Sequence, residues 1–172
     1  MRTTLQTINQ MQADGIIGKY AIGGAVGATF YLEPSATLDV SIFITFPSPP
    51  GGLLLSLHPN YDYLRARGFR AQGEYVLLGS WPVQFLPVRE ALEEEGLTQA
   101  IQTDVDGVPT WVMPAEHLIA IALRTGRSKD FARIVQFWND DETLDKDKLR
   151  SILTRHGLEP KWRDFERRYL HD

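Results

Sequence analysis

A glycine pair set between two strand patterns constrains this chain more than any other feature. Tyr20-Ala-Ile22 is a short apolar run with the composition of a strand, and it ends directly on Gly23-Gly24. Gly24 to Tyr31 reads as a helix that starts on the pair, and Leu38 to Phe46 reads as a buried strand containing Asp39-Val40-Ser41. Pro47-Ser-Pro-Pro-Gly-Gly52 then closes that strand with a strong loop signal. Glycine suits a tight strand-to-helix turn because it tolerates backbone conformations that crowd a Cβ. Strand residues two apart share a face, so Asp39 and Ser41 put one carboxylate and one hydroxyl on the same side of a sheet.

Around this centre the chain alternates helix and strand signals and then becomes helical. Thr4 to Ala13 reads as a helix with Leu5, Ile8 and Met11 on one face. Leu53 to Arg67 is helix-like, with a break expected near Pro59. Tyr75 to Leu78 and Val83 to Val88 read as strands joined through Gly79-Ser80. Glu90 to Glu95 is a short helix, and Ile101 to Val105 and Val108 to Val112 flank the hairpin dipeptide Asp106-Gly107. From Pro114 onward four helices are expected: Ala115 to Arg124, Lys129 to Trp138, Asp145 to His156 and Pro160 to Leu170. A boundary near Met113 divides an α/β core, 1–112, from a helical extension, 113–172.

Composition excludes several classes. With 172 residues, 43% of them hydrophobic and none cysteine, the chain can bury a substantial core but forms no disulfide or thiolate metal site. No apolar run approaches the roughly 20 residues needed to span a bilayer, and the first residues lack the apolar centre of a signal peptide. A cytoplasmic protein without membrane contact is the expectation. Residues 1–112 hold 6 Lys and Arg against 11 Asp and Glu, and 113–172 hold 12 against 11. The chain is therefore not a basic nucleic-acid-binding domain overall, and any polyanion contact is local.

The glycine pair, followed about fifteen residues later by an Asp inside a strand, resembles the signature of the nucleotidyltransferase fold, the DNA polymerase beta-like superfamily. In that family a Gly-Gly or Gly-Ser turn precedes a strand carrying Asp-hydrophobic-Asp, and a third carboxylate comes from a later strand. The resemblance implies a mixed β-sheet α/β core in which Gly23 and Gly24 approach the triphosphate and Asp39 holds magnesium. Such chemistry needs divalent metals about 3.5–4 Å apart, held by carboxylates and substrate phosphates. Here Ser41 stands where the second carboxylate is expected and Gln84 where the third is. The resemblance thus implies a metal site at Asp39 that is weak and vestigial.

The later order of elements is similar to bacterial abortive-infection (AbiEii-type) nucleotidyltransferase-like proteins, over roughly residues 15–140. Their Arg-x-Lys-Asp segment is matched by Arg127-Ser-Lys129-Asp130, whereas Ala122 stands where their helix commonly carries a lysine. By this resemblance Gly23, Gly24, Ser41, Arg127, Lys129 and Asp130 are nucleotide-binding residues and Asp39 is the catalytic carboxylate.

Each motif also has a plainer explanation. The glycine pair serves as a turn whatever the function, and Asp39 is equally an ion-pair partner for Arg127 or Lys129. Arg124, Arg127, Lys129 and Arg133 either contact phosphate or form a solvated helix end with Asp130 as a cap. In Lys161 to Arg168 the aromatics Trp162, Phe165 and Tyr169 follow the spacing of a core-facing stripe, although basic–aromatic interleaving also suits RNA. The acids Asp140, Asp141, Glu142, Asp145 and Asp147 lack the glycine of a calcium loop, and Glu93-Glu94-Glu95 reads as a wet helix face. The four histidines lack metal-ligand spacing.

Two functions remain. One is a nucleotidyltransferase-like pseudoenzyme that binds a nucleotide, a nucleic acid or a protein partner. The other is an active magnesium-dependent nucleotidyltransferase, the toxin of a toxin–antitoxin pair, in which Glu33, Asp104 or Asp106 completes the site. Nucleoside triphosphate, RNA and an antitoxin protein are the partners these readings name.

Overall fold

The computed structural model describes residues 1–33, 39–47, 56–140 and 142–170. In chain order the elements are α1 (Arg2–Ala13), β1 (Tyr20–Gly23), α2 (Gly24–Ala28), β2 (Val40–Ile44), α3 (His58–Ala66), β3 (Arg70–Gln72), β4 (Tyr75–Leu78) and β5 (Trp81–Pro87). They continue with α4 (Ala91–Thr98), β6 (Ile101–Val105), β7 (Val108–Val112), α5 (Ala115–Thr125), α6 (Ser128–Trp138), α7 (Lys146–Arg155) and α8 (Glu159–Tyr169).

Seven strands form one mixed sheet in the order β3-β4-β5-β2-β1-β7-β6. β2 pairs antiparallel with β1 and parallel with β5, and β1 pairs parallel with β7. β2, which holds Ser41, and β5, which holds Gln84, are therefore adjacent in one sheet, and the α/β class with C-terminal helices holds.

Helices cover both faces rather than the one face a simple two-layer arrangement would need. Even-numbered residues of β2 (Val40, Ile42 and Ile44) join Leu5, Ile8 and Met11 of α1 and Leu64 of α3 in one buried cluster. Phe43, on the opposite face, joins Ala21 and side chains of α4 to α8 in a second. Strand alternation thus feeds two cores from one sheet. Trp162 and Phe165 are buried in the second, so the α8 aromatics are a packing stripe, with Tyr169 half exposed at its end.

Local chemistry accounts for the remaining departures from sequence expectation. Pro59 begins α3 instead of breaking a longer helix, because proline lacks only an N–H that the first turn leaves unpaired anyway. The proposed start of that helix, Leu53 to Leu55, lies outside the described residues, as do Leu38 and residues 48–52 of the loop. α2 is a single turn of five residues and not the longer helix expected to Tyr31. Strand β3, three exposed residues long, carries no alternation by which to recognise it. Asp106 and Gly107 both adopt positive φ, as a two-residue hairpin turn between β6 and β7 requires.

Both glycines of the pair are fixed by packing. A Cβ on Gly23 would lie within 2.7 Å of two ring atoms of Phe43 on the neighbouring strand. Gly24 has φ +59°, and a Cβ there would meet the Ser41 hydroxyl at 3.0 Å. Gly23→Ala is therefore expected to displace the Phe43 ring and destabilise the fold by about 1–3 kcal/mol. Gly24→Ala adds backbone strain of similar size. Denaturant melts of the two variants check this, with an unchanged midpoint for Gly23→Ala contradicting the packing.

Candidate functional site

The site grows from one row of the sheet. Gly23 is register partner to Ser41, and Ser41 to Gln84, so three neighbouring strands present these residues side by side. Extending the β4–β5 pairing of Val76 with Val83 by one step puts Tyr75 opposite Gln84. Asp39 immediately precedes β2, two residues before Ser41 and half buried. Ser41 and Gln84 lie on the face that also carries Phe43 and Leu86. The C-terminal helices cover the Phe43–Leu86 end of that face. Asp39, Ser41 and Gln84 stay partly exposed at the other end and mark the floor of a candidate cleft.

One wall is the β3–β4 hairpin. Gln84 donates from Nε2 to Glu74 Oε2 at 2.7 Å. The Tyr75 phenol is pushed above its ordinary value, chiefly by the negative charge of Asp39, then by burial and by Glu74, against the pull of Arg127. Asp39, Glu74, Tyr75 and Arg127 therefore share one electrostatic environment.

The other wall is the α5–α6 connection. Gly126, at φ +73°, ends α5 in the left-handed conformation common at helix C-termini, and Arg127 follows as the N-cap residue of α6. Arg127 donates from Nε to Asp130 Oδ2 at 2.7 Å and from Nη2 to Asp130 Oδ1 at 3.2 Å, a two-point grip. Asp130 is 1% exposed and also accepts from the Arg133 guanidinium at 3.5 Å. Asp130 thus holds Arg127 in place instead of facing solvent. Its hydrogen bonds are the main cause that raises the Arg127 guanidinium's proton affinity, with Asp39 adding to it. Lys129 is exposed beside them on the first turn of α6.

Other candidates fall elsewhere. Arg124 is paired with Glu90, the N-cap residue of α4, and with Glu93 in its first turn, and is no part of the cleft. Asp104 and Asp106 belong to the β6–β7 hairpin at the sheet's far edge, at the end of β1 opposite Gly23, so neither completes the Asp39 site. Glu33 is exposed. Asp145 caps α7 by accepting from the Lys148 N–H at 2.9 Å, an ordinary N-cap role for one of the clustered acids. Asp141 lies outside the described residues.

The donor set does not fit a pair of magnesium ions. The row offers one carboxylate, one hydroxyl and an amide whose nitrogen is turned to Glu74. Among the described residues no group of three or more His, Asp or Glu side chains is arranged to hold a metal ion. Two-metal sites need bridging negative charge, which neutral Ser41 and Gln84 do not supply.

Sequence reasoning missed Glu74 and Tyr75 because they sit in an unrecognised hairpin. Gly73, with φ +63°, next to a β-forming pair was the available signal. The cleft is distinct from a cavity of about 630 Å³ at the opposite end of the sheet, lined in part by Lys19, Thr45 and Leu97.

Among solved structures, the chain is similar over 99% of its length to the solution structure of the antibiotic-resistance factor ANT(2'')-Ia. The likeness covers 97% of that protein with a TM-score of 0.56 and 13% identity. Over 90% of its length it is similar to the crystal structure of ANT(2'')-Ia in complex with adenylyl-2''-tobramycin. There it covers 97% of that chain with a TM-score of 0.52 and 12% identity. These neighbours are nucleotidyltransferases, and what is shared at such identities is the nucleotidyltransferase fold. No family model matches the chain, and no curated protein matches it by sequence.

Asp130→Ala is expected to leave Arg133, whose side chain is 15% exposed, without its carboxylate and to release Arg127. Breaking a fully buried pair costs about 3–5 kcal/mol, and the exposure of Arg127 reduces that to about 2 kcal/mol. A chemical melt of the variant checks the figure.

Proposed function

We propose that this protein is a nucleotidyltransferase-like pseudoenzyme that binds a nucleotide in the Asp39 cleft without transferring it. The observation that carries this reading is the register of Gly23, Ser41 and Gln84, which sets neutral side chains in line where the fold's chemistry calls for carboxylates. The Arg127 fork and the Lys129 ammonium suit phosphate oxygens, and Ser41 offers a hydroxyl. Gly23 and Gly24 allow close approach of a ligand to the turn, and Asp130 aims Arg127. Residues 1–112 form the binding core in this reading and 113–172 supply its second wall. The order of motifs supports an AbiEii-type relationship, with an antitoxin protein or RNA as further partners and a cytoplasmic setting. No helix among the described residues is long and apolar enough to cross a membrane.

One observation favours a second reading, an active magnesium-dependent nucleotidyltransferase of toxin type. Glu74 brings a carboxylate to the position of Gln84 from the β3–β4 turn. Calorimetric titration with nucleoside triphosphates, in magnesium and in chelator, separates the two. The pseudoenzyme binds with similar affinity in both, and Arg127→Ala weakens binding by about tenfold through loss of charged hydrogen bonds. Magnesium-dependent incorporation of labelled nucleotide, abolished by Asp39→Ala, would establish the enzyme instead.

Restoring the missing acids gives an independent check. S41D combined with Q84D sets two carboxylates on partnered positions beside Asp39. Mutual repulsion raises at least one folded pKa, so the apo variant loses stability as pH climbs above the carboxylates' unfolded values near 4. Magnesium or manganese then recovers its melting temperature by mass action, whereas the wild type changes little. Identical melts of the double variant in metal and in chelator would show that the positions do not converge.

A further inference from the structure

Apart from the cleft, the described residues hold a buried histidine–carboxylate junction that the proposed function does not use. It ties α4, α5 and α7 together through Glu95. His117 on α5 is 0% exposed and sets Nε2 at 3.1 Å from Glu95 Oε1. His156, the C-terminal cap of α7, sets Nε2 at 2.7 Å from Glu95 Oε2, and Arg155 donates to both carboxylate oxygens. Glu93-Glu94-Glu95 is thus not a uniformly wet face: Glu93 and Glu95 are partly buried in ion pairs, and only Glu94 is exposed. Because Glu95 as a carboxylate only accepts, the neutral His117 ring must carry its proton on Nε2. Its Nδ1 is buried with no hydrogen-bond partner among the described residues.

We propose that the Glu95–His117–His156 junction is a pH-sensitive latch, which fastens α7 to α4 and α5 at neutral pH and releases it in mild acid while the sheet stays folded. A proton on His117 Nδ1 would create a charged, buried donor with no acceptor, the most costly way to leave a polar group unpaired. The charged or titratable groups around the ring are Glu95 from α4, Glu116 from its own helix, and Lys148, Arg155 and His156 from α7 and its cap. Glu95 and Glu116 favour the proton and Lys148 opposes it, but burial is the largest influence and holds the His117 pKa below the ordinary histidine value. Glu95 is held down to about 2, chiefly by Arg155, so it keeps its charge throughout. Protonated His156 would strengthen its own pair with Glu95, so any release comes from His117.

A folded pKa below the unfolded one gives stability that is complete above about pH 6.5 and is lost as pH falls. The loss is confined to the bundle. Buried polar groups on the α1–α3 side of the sheet are the uncharged Thr4, Asn60 and Thr110, whereas Glu116, His117 and Asp130 lie on the bundle side. The latch is independent of the nucleotide-binding reading.

Hydrogen exchange of the intact chain at pH 7.5 and 5.5, corrected for the chemical exchange rate, tests the latch. Amides of α5 and α7 are expected to lose protection relative to β1 and β2, by up to about tenfold per pH unit. His117→Gln keeps a donor toward Glu95 but does not titrate, and is expected to abolish that difference. Equal losses in sheet and bundle, or the same acid loss in His117→Gln, would overturn the proposal. Should that variant fail to fold, imidazole proton NMR of the wild type decides. One of the four histidines must stay neutral until the bundle opens, and ordinary titration of all four would refute the latch.

Discussion

The cleft depends on the register between β1, β2 and β5. Antiparallel pairing brings the end of β1 to the start of β2, and parallel pairing brings the early part of β5 to the same edge. Gly23, Asp39, Ser41 and Gln84 meet there for that reason alone. A shift of one residue would turn Ser41 into the apolar α1–α3 core and move Ile42 and Ile44, both 0% exposed in the fold, out of it. Loss of each such burial costs about 1.5–3 kcal/mol, so the buried Val40, Ile42 and Ile44 fix the position of Ser41 between them. The absence of a side chain at Gly23 completes the arrangement by leaving room for the Phe43 ring.

A second constraint acts from the helical side. Arg127 is largely exposed, and an exposed arginine ordinarily samples many rotamers. Here a carboxylate that is itself buried binds two of its nitrogens, and Arg133 supports that carboxylate from the next turn of α6. Order at the cleft wall is thus borrowed from the core. The same logic governs Glu95, where a carboxylate on one short helix gathers donors from two others.

Local signals made much of the fold legible. The glycine pair, the apolar run of β2, the Asp106-Gly107 hairpin and the four C-terminal helices each follow from turn chemistry, hydrophobicity or periodicity. What escaped notice depends on long-range pairing. β3 is too short to show a pattern, so Glu74 and Tyr75 had no visible connection to Asp39. His117, Glu95 and His156 are 22 and 39 residues apart in successive steps, counted from Glu95 to His117 and from His117 to His156. No spacing rule links them. Asp130 looked like a ligand-facing acid because its motif says nothing of burial.

The distribution of charge gives the cleft its internal consistency. Three carboxylates on adjacent strands repel one another unless cations lie between them, and the repulsion grows as the site dries. With Ser41 and Gln84 neutral, the floor keeps a single acid, Asp39, beside the field of Arg127. Gln84 uses its amide nitrogen to hold Glu74 on the hairpin, satisfying a donor that would otherwise seek a partner in the cleft. With one acid on the floor and Glu74 set apart on the hairpin, this row of the sheet carries less mutual repulsion than three adjacent carboxylates would.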